Sequence, residues 1–147
     1  MKNFIPYVVV LTFLLIGCSS DEESVALPNP VPQAQDCPST HALVGESREL
    51  RRSAQYGISG TVTIISDCEI EISNFFYNGL GPAVSVYGGN NSNFIDGISL
   101  SEPIQGRRFE GETLTVFLPE NTSLDDINSF SIWCFQFDID FSSASFQ

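Results

Sequence analysis

The chain has 147 residues, a formal net charge of −12 at neutral pH and four cysteines. A protein this acidic repels the phosphate backbone, which excludes nucleic acid as a partner. The length suits one domain plus a tether, and 12 phenylalanines supply large side chains for an apolar core.

The N-terminus has the features of a secretory signal. Lys2 precedes an apolar run over 4–16, which is too short for a transmembrane helix of about 20 apolar residues. Residues 15–18 read Leu-Ile-Gly-Cys, the pattern of a bacterial lipobox, in which the cysteine is acylated and the chain is cut before it. The sequence predicts a signal peptide over 1–17 and a lipoprotein with its lipid on Cys18. An ordinary signal peptide with an incidental cysteine is the alternative.

The segment 18–40 has the composition of an extended tether. It carries prolines at positions 28, 30, 32 and 38, and proline at this density favours polyproline-like chain and prevents helix formation. We expect a disordered, lipidated spacer that binds the bilayer through acylated Cys18. An acidic run at 21–23 follows the lipid site, and such runs direct some bacterial lipoproteins to the outer surface; a solvated spacer is the alternative. The expected location is the cell envelope, on the outer membrane and exposed at the cell surface.

The rest of the chain, 41–147, has the pattern of short strands separated by turns. The segment 41–52 is either a short helix or the first strand, and 69–73 alternates two isoleucines with two glutamates. Further predicted strands cover 61–65, 83–87, 95–100, 113–118 and 130–141. Strands of this length and spacing predict an all-β domain, a small antiparallel β-sandwich of jelly-roll or barrel-like form.

The last predicted strand is rich in aromatic residues. Trp133, Phe135 and Phe137 alternate with Ile132 and Cys134, so both faces of the strand are apolar. Such a strand is typical of the middle of a sheet that is covered on both sides. An aromatic stripe of this kind more often packs in a core than against a cofactor.

Three cysteines remain after Cys18, at positions 37, 68 and 134. Disulfides persist outside the cytosol, so we expect one bridge and one unpaired thiol, with three pairings open. The leading candidate is a Cys68–Cys134 bridge. The alternatives for Cys134 are a free thiol with a redox task and an inert buried thiol.

The sequence contains few groups for catalysis or cofactor binding. There is no Cys-x-x-Cys-His motif, and a haem would need Cys134 or His41 as its axial ligand, so neither haem nor another prosthetic group is expected. Cys37 and His41 alone are too few for a zinc site. Since there is also no Gly-x-Ser-x-Gly motif, the sequence does not favour an enzyme.

Several short segments resemble the signature of the DM-13 domain family. Residues 74–84 read Asn-Phe-Phe-Tyr-Asn-Gly-Leu-Gly-Pro-Ala-Val, and a Gly-x-x-Gly-Thr-Val segment at 57–62 precedes them. Leu118-Pro119 and Trp133-Cys134 match the later part of the same pattern. The resemblance covers 57–147 and implies a small extracellular all-β domain with an electron-transfer role.

The resemblance assigns the family's signature cysteine to Cys134. It implies a redox role through that thiol or through a bound group, with Cys68 as a second redox candidate. A reactive thiol needs a nearby cation to favour its thiolate form, and the sequence offers Arg107 or Arg108 for that purpose. A redox partner protein is the expected partner under this hypothesis.

The second hypothesis is a non-catalytic binding or structural module at the cell surface. In it Cys134 is bridged to Cys68, and turn-rich loops contact a surface glycan or a protein. Tyr77, Tyr87 and the pair Asn90-Asn91 are the expected contacts, because amphipathic rings and amides suit such ligands.

Overall fold

The structure is a computed structural model that describes residues 37–51 and 53–147. The predicted signal peptide, Cys18 and most of the predicted tether lie outside the described residues. The described part consists of strands joined by turns, and it holds no helix long and apolar enough to cross a membrane. The strands are β1 Ser47–Glu49, β2 Ser59–Ile64, β3 Glu69–Tyr77, β4 Val84–Asn90, β5 Asn93–Ser99, β6 Phe109–Phe117, β7 Ser129–Cys134 and β8 Ile139–Ser145.

The strands form two sheets of four, with the orders β1-β2-β3-β6 and β5-β4-β7-β8. The pairings within each sheet are antiparallel. A backbone hydrogen bond from Arg51 N to Ser143 O joins the β1 side of one sheet to the β8 edge of the other. The apolar core includes Val62, Ile64, Ile70, Ile72, Val84, Val86, Phe130 and Ile132. The all-β class and the small antiparallel sandwich are therefore confirmed.

Alternation explains why β2 and β3 lie where they do. Ile70 and Ile72 are fully buried, whereas Glu69 and Glu71 on the other face of β3 are partly exposed. Burying one such isoleucine stabilises the fold by about 1.5–3 kcal/mol, which fixes the register of the strand.

Two segments differ from expectation or resolve an alternative. The segment 41–52 forms a turn followed by β1, so its strand alternative is correct. The predicted single strand 130–141 is divided into β7 and β8 by a turn over 135–138. Phe137 N donates to Cys134 O in this turn, and Asp138 adopts a φ of 54°. Aspartate tolerates this left-handed conformation better than most residues, so the chain reverses here.

Strand β7 is the most enclosed strand of the described domain. All six of its residues are buried, and it lies between β4 and β8. Ile132 and Cys134 face the core, while Trp133 packs on the other side against Phe94 and Tyr87. The predicted central strand is thus confirmed, and it carries Cys134 to one end of the sandwich.

Candidate functional site

The structure pairs Cys37 with Cys68, with their Cα atoms 5.6 Å apart, and leaves Cys134 as the free cysteine among the described residues. The predicted Cys68–Cys134 bridge is therefore wrong. Cys68 lies just before the first residue of β3. Cys134 binds the same loop as Tyr77, the last residue of β3, so the two cysteines lie at opposite ends of this strand (below). Nine residues of strand span about 30 Å, far beyond the roughly 7 Å between Cα atoms that a disulfide permits.

Hydrogen bonds reinforce the Cys37–Cys68 end. Asp67 accepts from Thr40 N at 2.8 Å, from Thr40 Oγ1 at 2.6 Å and from His41 N at 2.9 Å. Asp67 N donates in return to Pro38 O. The Thr40 hydroxyl is the main reason that the pKa of Asp67 is lowered. Residues 37–40, which the sequence assigned to the tether, are held against the β2–β3 turn.

Cys134 lies at the opposite end of the sandwich. Its side chain is completely buried, and its Sγ donates a hydrogen bond to Pro82 O at 3.0 Å. In the sheet it pairs with Val84 of β4 and Ile139 of β8. The thiol therefore closes the inner side of the loop that precedes β4.

That loop, 79–83, follows a path that depends on glycine. Gly81 has a φ of 119°, and a Cβ there would lie 2.8 Å from Cε2 of Phe141. Gly79 has a φ of 79°, and its Cβ would lie 3.0 Å from the carbonyl oxygen of Arg107. Ala83 also adopts a positive φ, 46°, which an alanine does at some cost.

Tyr77 holds the same loop from the other sheet. Its Oη donates to Leu80 O at 2.7 Å, and its ring is buried. Burial raises the pKa of Tyr77 to about 12, and the nearby Cys134 adds to the rise. The phenol therefore stays a proton donor at neutral pH. We call Tyr77, Cys134 and the loop 79–83 the Tyr77–Cys134 clamp.

The clamp explains why separate motif segments belong together. Residues 74–84 supply both Tyr77 and the loop, and the distant Trp133-Cys134 pair supplies the thiol that binds it. Sequence reasoning identified both segments but not their contact. The one sequence feature that pointed to an unusual loop at this contact was the spacing of its glycines.

The cations expected near the thiol have other partners. The Arg107 guanidinium lies 4.3 Å from the centroid of the Phe109 ring, and Arg108 Nε is 2.8 Å from Glu110 Oε1. Neither contact involves Cys134. The prediction that one of these arginines serves the sulfur gains no support from these contacts.

The residues around Cys134 do not fit a haem. The sulfur is enclosed in the core with a carbonyl partner, and it lines none of the cavities that we identified in the described domain. His41 is 3.4 Å from Asp125 Oδ1 through Nε2, and its Nδ1 accepts from Leu43 N at 3.1 Å. Cys134 is not presented to a cavity. His41 lines one beside the Cys37–Cys68 bridge, but both of its ring nitrogens lie against protein partners and neither is left free as an axial ligand requires.

Apolar side chains are exposed around the clamp. Leu80 in the loop is 61% exposed, and Phe137 and Ile139 after β7 are 59% and 48% exposed. We call these three residues the apolar rim. The sequence prediction missed the rim because it placed Phe137 and Ile139 inside a buried strand.

The expected contacts of the binding-module hypothesis are separated in the structure. Tyr77 is buried in the clamp and is not available to a ligand. The Asn90 amide donates to two backbone carbonyls of the 119–128 loop, and Asn91 N donates to Asn128 Oδ1. Tyr87 is different, because it is partly exposed and lines a cavity beside Phe135.

Comparison with known proteins identifies relatives over most of this domain. The family described as "Electron transfer DM13" matches residues 49–146. Two Drosophila melanogaster proteins, "Protein Skeletor, isoforms B/C" and "Protein Skeletor, isoforms D/E", are each 33% identical to this chain over 97 residues. The match covers 61% of this chain but only 12% and 6% of those relatives, so the chain spans a small part of their length. No solved structure matches this chain.

Proposed function

Because this chain belongs to the electron transfer DM13 family, we propose that its β-sandwich is an electron-transfer domain in which Cys134 is the redox-active group. The observation that carries the proposal is that the three described cysteines are in different chemical states. Cys37 and Cys68 are consumed in a disulfide, whereas Cys134 keeps its thiol and binds the loop of the family motif.

Thiol–disulfide exchange is the chemistry that a single thiol supports. The Cys134 thiol loses its proton, and its sulfur forms a bond to one sulfur of a disulfide in a partner protein. The disulfide bond of the partner breaks, and its electron pair leaves with the other partner sulfur as a thiolate. The product is a mixed disulfide, in which the partner has been half reduced. A thiolate of a second protein, a dithiol electron donor, then attacks the Cys134 sulfur and releases the first partner as a dithiol. The donor's other thiolate attacks the donor sulfur that is now bonded to Cys134, which frees the Cys134 thiolate and leaves the donor as a disulfide, so two electrons pass from the donor to the partner.

Exchange requires the clamp to open, because Cys134 is fully buried. The left-handed conformation of Ala83 costs roughly 1–2 kcal/mol, which lowers the free energy needed to displace the loop. The apolar rim gives a partner a surface to cover as it approaches, since exposed apolar patches mark interaction sites. Electron-transfer encounters need only a small interface, so three side chains are a useful fraction of it.

The proposal extends to the place of the domain in the cell. In it, lipid on Cys18 holds the protein on the outer membrane of a bacterial envelope, and the tether presents the domain to partners. The Cys37–Cys68 bridge then fixes the end of the tether at the opposite end of β3 from the clamp. A Cys18→Ser variant should leave the membrane fraction and lack the acyl mass. Retention of both would overturn the anchor.

The test of the redox role is exchange of Cys134 with a disulfide reagent, 5,5′-dithiobis(2-nitrobenzoate), in the folded full-length protein. The Cys134 thiol should react slowly, and a Cys134→Ser variant should lose this reaction. Tyr77→Phe removes the phenol that holds Leu80 and should accelerate it about fivefold to tenfold, the effect of one hydrogen bond. Tyr87→Phe is the matched control and should react like the wild type. A Cys134 that reacts only after global unfolding would refute the proposal.

One observation favours a second candidate, a structural thiol in a binding module. The Cys134 side chain is enclosed and its hydrogen bond to Pro82 is satisfied, as expected of an inert buried cysteine. Under this candidate, Cys134 stabilises the loop and the domain acts by binding. Its disulfide to Cys68 is excluded by the observed pairing, so only the binding part of that hypothesis survives.

A further inference from the structure

A groove of about 750 Å³ lies between β6 of one sheet and β4 of the other, and Cys134 does not line it. Its walls come from β6, from β4, from the segment after β5 and from the turn after β7. The lining residues that matter here are Ser85, Tyr87, Glu102, Thr115, Phe117 and Phe135. The volume is within the range of small-ligand sites. We propose that this groove binds a neutral oligosaccharide.

Aromatic rings form the floor of the groove. The rings of Tyr87 and Phe135 are 6.4 Å apart at their centroids and within 18° of parallel. The Trp133 ring packs against Tyr87, with the two centroids 6.3 Å apart, and it is only 5% exposed, so it supports the floor from a buried position. Nearly parallel rings present apolar faces on which the C–H faces of pyranose rings can pack.

Polar groups without protein partners point to a hydroxyl-rich ligand. Ser85 is 1% exposed and lines the groove, yet its hydroxyl takes no part in the hydrogen bonds among the described residues. No enclosed polar side-chain atom of the described domain lacks a partner, so the Ser85 oxygen keeps a small exposed area, and the residue lines the groove. The Tyr87 and Thr115 hydroxyls and the Glu102 carboxylate are likewise unused among the described residues. A neighbouring pair of such groups, one donating and one accepting, can bind two vicinal hydroxyls of a sugar.

The neighbouring serines contrast with these groups. Ser99 Oγ donates to Ser101 O, and Ser101 Oγ donates to Glu102 O and accepts from Val86 N. These hydroxyls fix the wall of the groove. The hydroxyls without protein partners therefore lie in the groove beside a wall whose own hydroxyls are already paired.

The charge of the groove selects a neutral ligand. Glu102 is the one charged residue in its lining, and the chain as a whole is strongly acidic. An anionic polysaccharide would be repelled by both. A neutral sugar instead offers hydroxyl donors to the Glu102 carboxylate, which accepts only.

The test is a titration of the full-length protein with cellohexaose, maltohexaose and chitohexaose, followed by the fluorescence of Trp133, the one tryptophan of the chain. At least one of the three should give a saturable signal. Phe135→Ala should weaken that binding by about tenfold, and Ser85→Ala by about threefold, the loss of one neutral hydrogen bond. Phe137→Ala is the matched control: the same residue type in the same turn, more exposed and outside the groove, so binding should not change.

Three results would overturn the inference. One is no saturable signal from any of the three sugars up to about 10 mM, a concentration that detects even weak binding. Another is equal weakening by Phe135→Ala and Phe137→Ala in variants whose thermal melting shows that they are folded. The third is binding of spermine or polygalacturonate in place of the neutral sugars. Glu102→Gln leaves the fold unaffected because Glu102 is exposed, and it should weaken sugar binding while melting like the wild type.

Discussion

The two ends of strand β3 hold cysteines in opposite states. At the first end, Cys68 is bonded to Cys37, and Asp67 binds the backbone of the incoming chain. At the second end, Tyr77 and the free Cys134 hold a glycine-dependent loop by one hydrogen bond each. The first end is closed covalently, whereas the second is closed only by contacts that can be broken and remade. The redox step proposed for Cys134 would therefore need only local opening of the clamp, not loss of the fold.

The largest expected effect is at the covalent end. Replacing Cys37 and Cys68 together by serine should lower the free energy of unfolding by about 3.7 kcal/mol, the chain-entropy value for the 31-residue separation. Urea denaturation measures this loss. Reductant should weaken the wild type by a similar amount and leave the double variant unchanged. A loss below about 1 kcal/mol would contradict the stabilising role of the disulfide at this end.

The next effect concerns the loop of the clamp. Gly81→Ala should destabilise the domain by about 2–4 kcal/mol, because the new Cβ meets the Phe141 ring at a φ that alanine avoids. Gly45→Ala is the control: its φ is also positive, 88°, but no atom lies within 4 Å of the new Cβ. It should cost only about 1 kcal/mol. Equal losses in thermal melts would mean that backbone conformation, not the close approach to Phe141, shapes the loop.

A smaller effect is expected from the phenol of the clamp. Tyr77→Phe should destabilise the fold by about 1 kcal/mol, because Leu80 O loses its donor while the ring stays in place. Tyr87→Phe should leave stability unchanged, since its hydroxyl has no partner among the described residues. Urea denaturation of the two variants side by side makes the comparison. The account of the clamp fails on this point if both variants behave alike.

The smallest expected effects are on the pH dependence of stability, which should differ between the two ends of β3. The pKa of Asp67 is lowered by the Thr40 hydroxyl, so its contribution is present above its ordinary pKa of 3.8 and is lost as the pH falls through its folded value. The pKa of Tyr77 is raised to about 12, so its contribution is present below pH 10 and is lost as the pH rises towards 12. The advantage in stability of the wild type over Asp67→Asn should therefore shrink as the pH falls below 3.8, and its advantage over Tyr77→Phe should shrink as the pH rises from 10 towards 12. Curves that are merely parallel to the wild type would contradict both assignments.

The local pattern of apolar and polar residues predicted much of the fold and little of the candidate site. The alternation in β3 and the enclosed character of β7 were readable because a half-buried or central strand leaves a periodic trace in the sequence. The disulfide was not readable, since Cys68 and Cys134 both lie at strand ends and only the sheet order shows that these ends are far apart. The turn at 135–138 was missed because aromatic residues continue through it, and its reversal depends on one aspartate at positive φ. The groove is built from β4, β6, the segment after β5 and the turn after β7, which are distant in sequence, so Tyr87 alone of its lining could be named as a contact in advance.

The central claim is that Cys134 becomes reactive through local opening of the clamp. The measurement that tests it most directly is the rate of Cys134 exchange with the disulfide reagent at urea concentrations below the unfolding transition. Local opening exposes little surface, so the account predicts a rate that is nearly independent of urea in this range and exceeds the rate of global unfolding. A rate that follows the global unfolding equilibrium from the lowest urea concentration would contradict it.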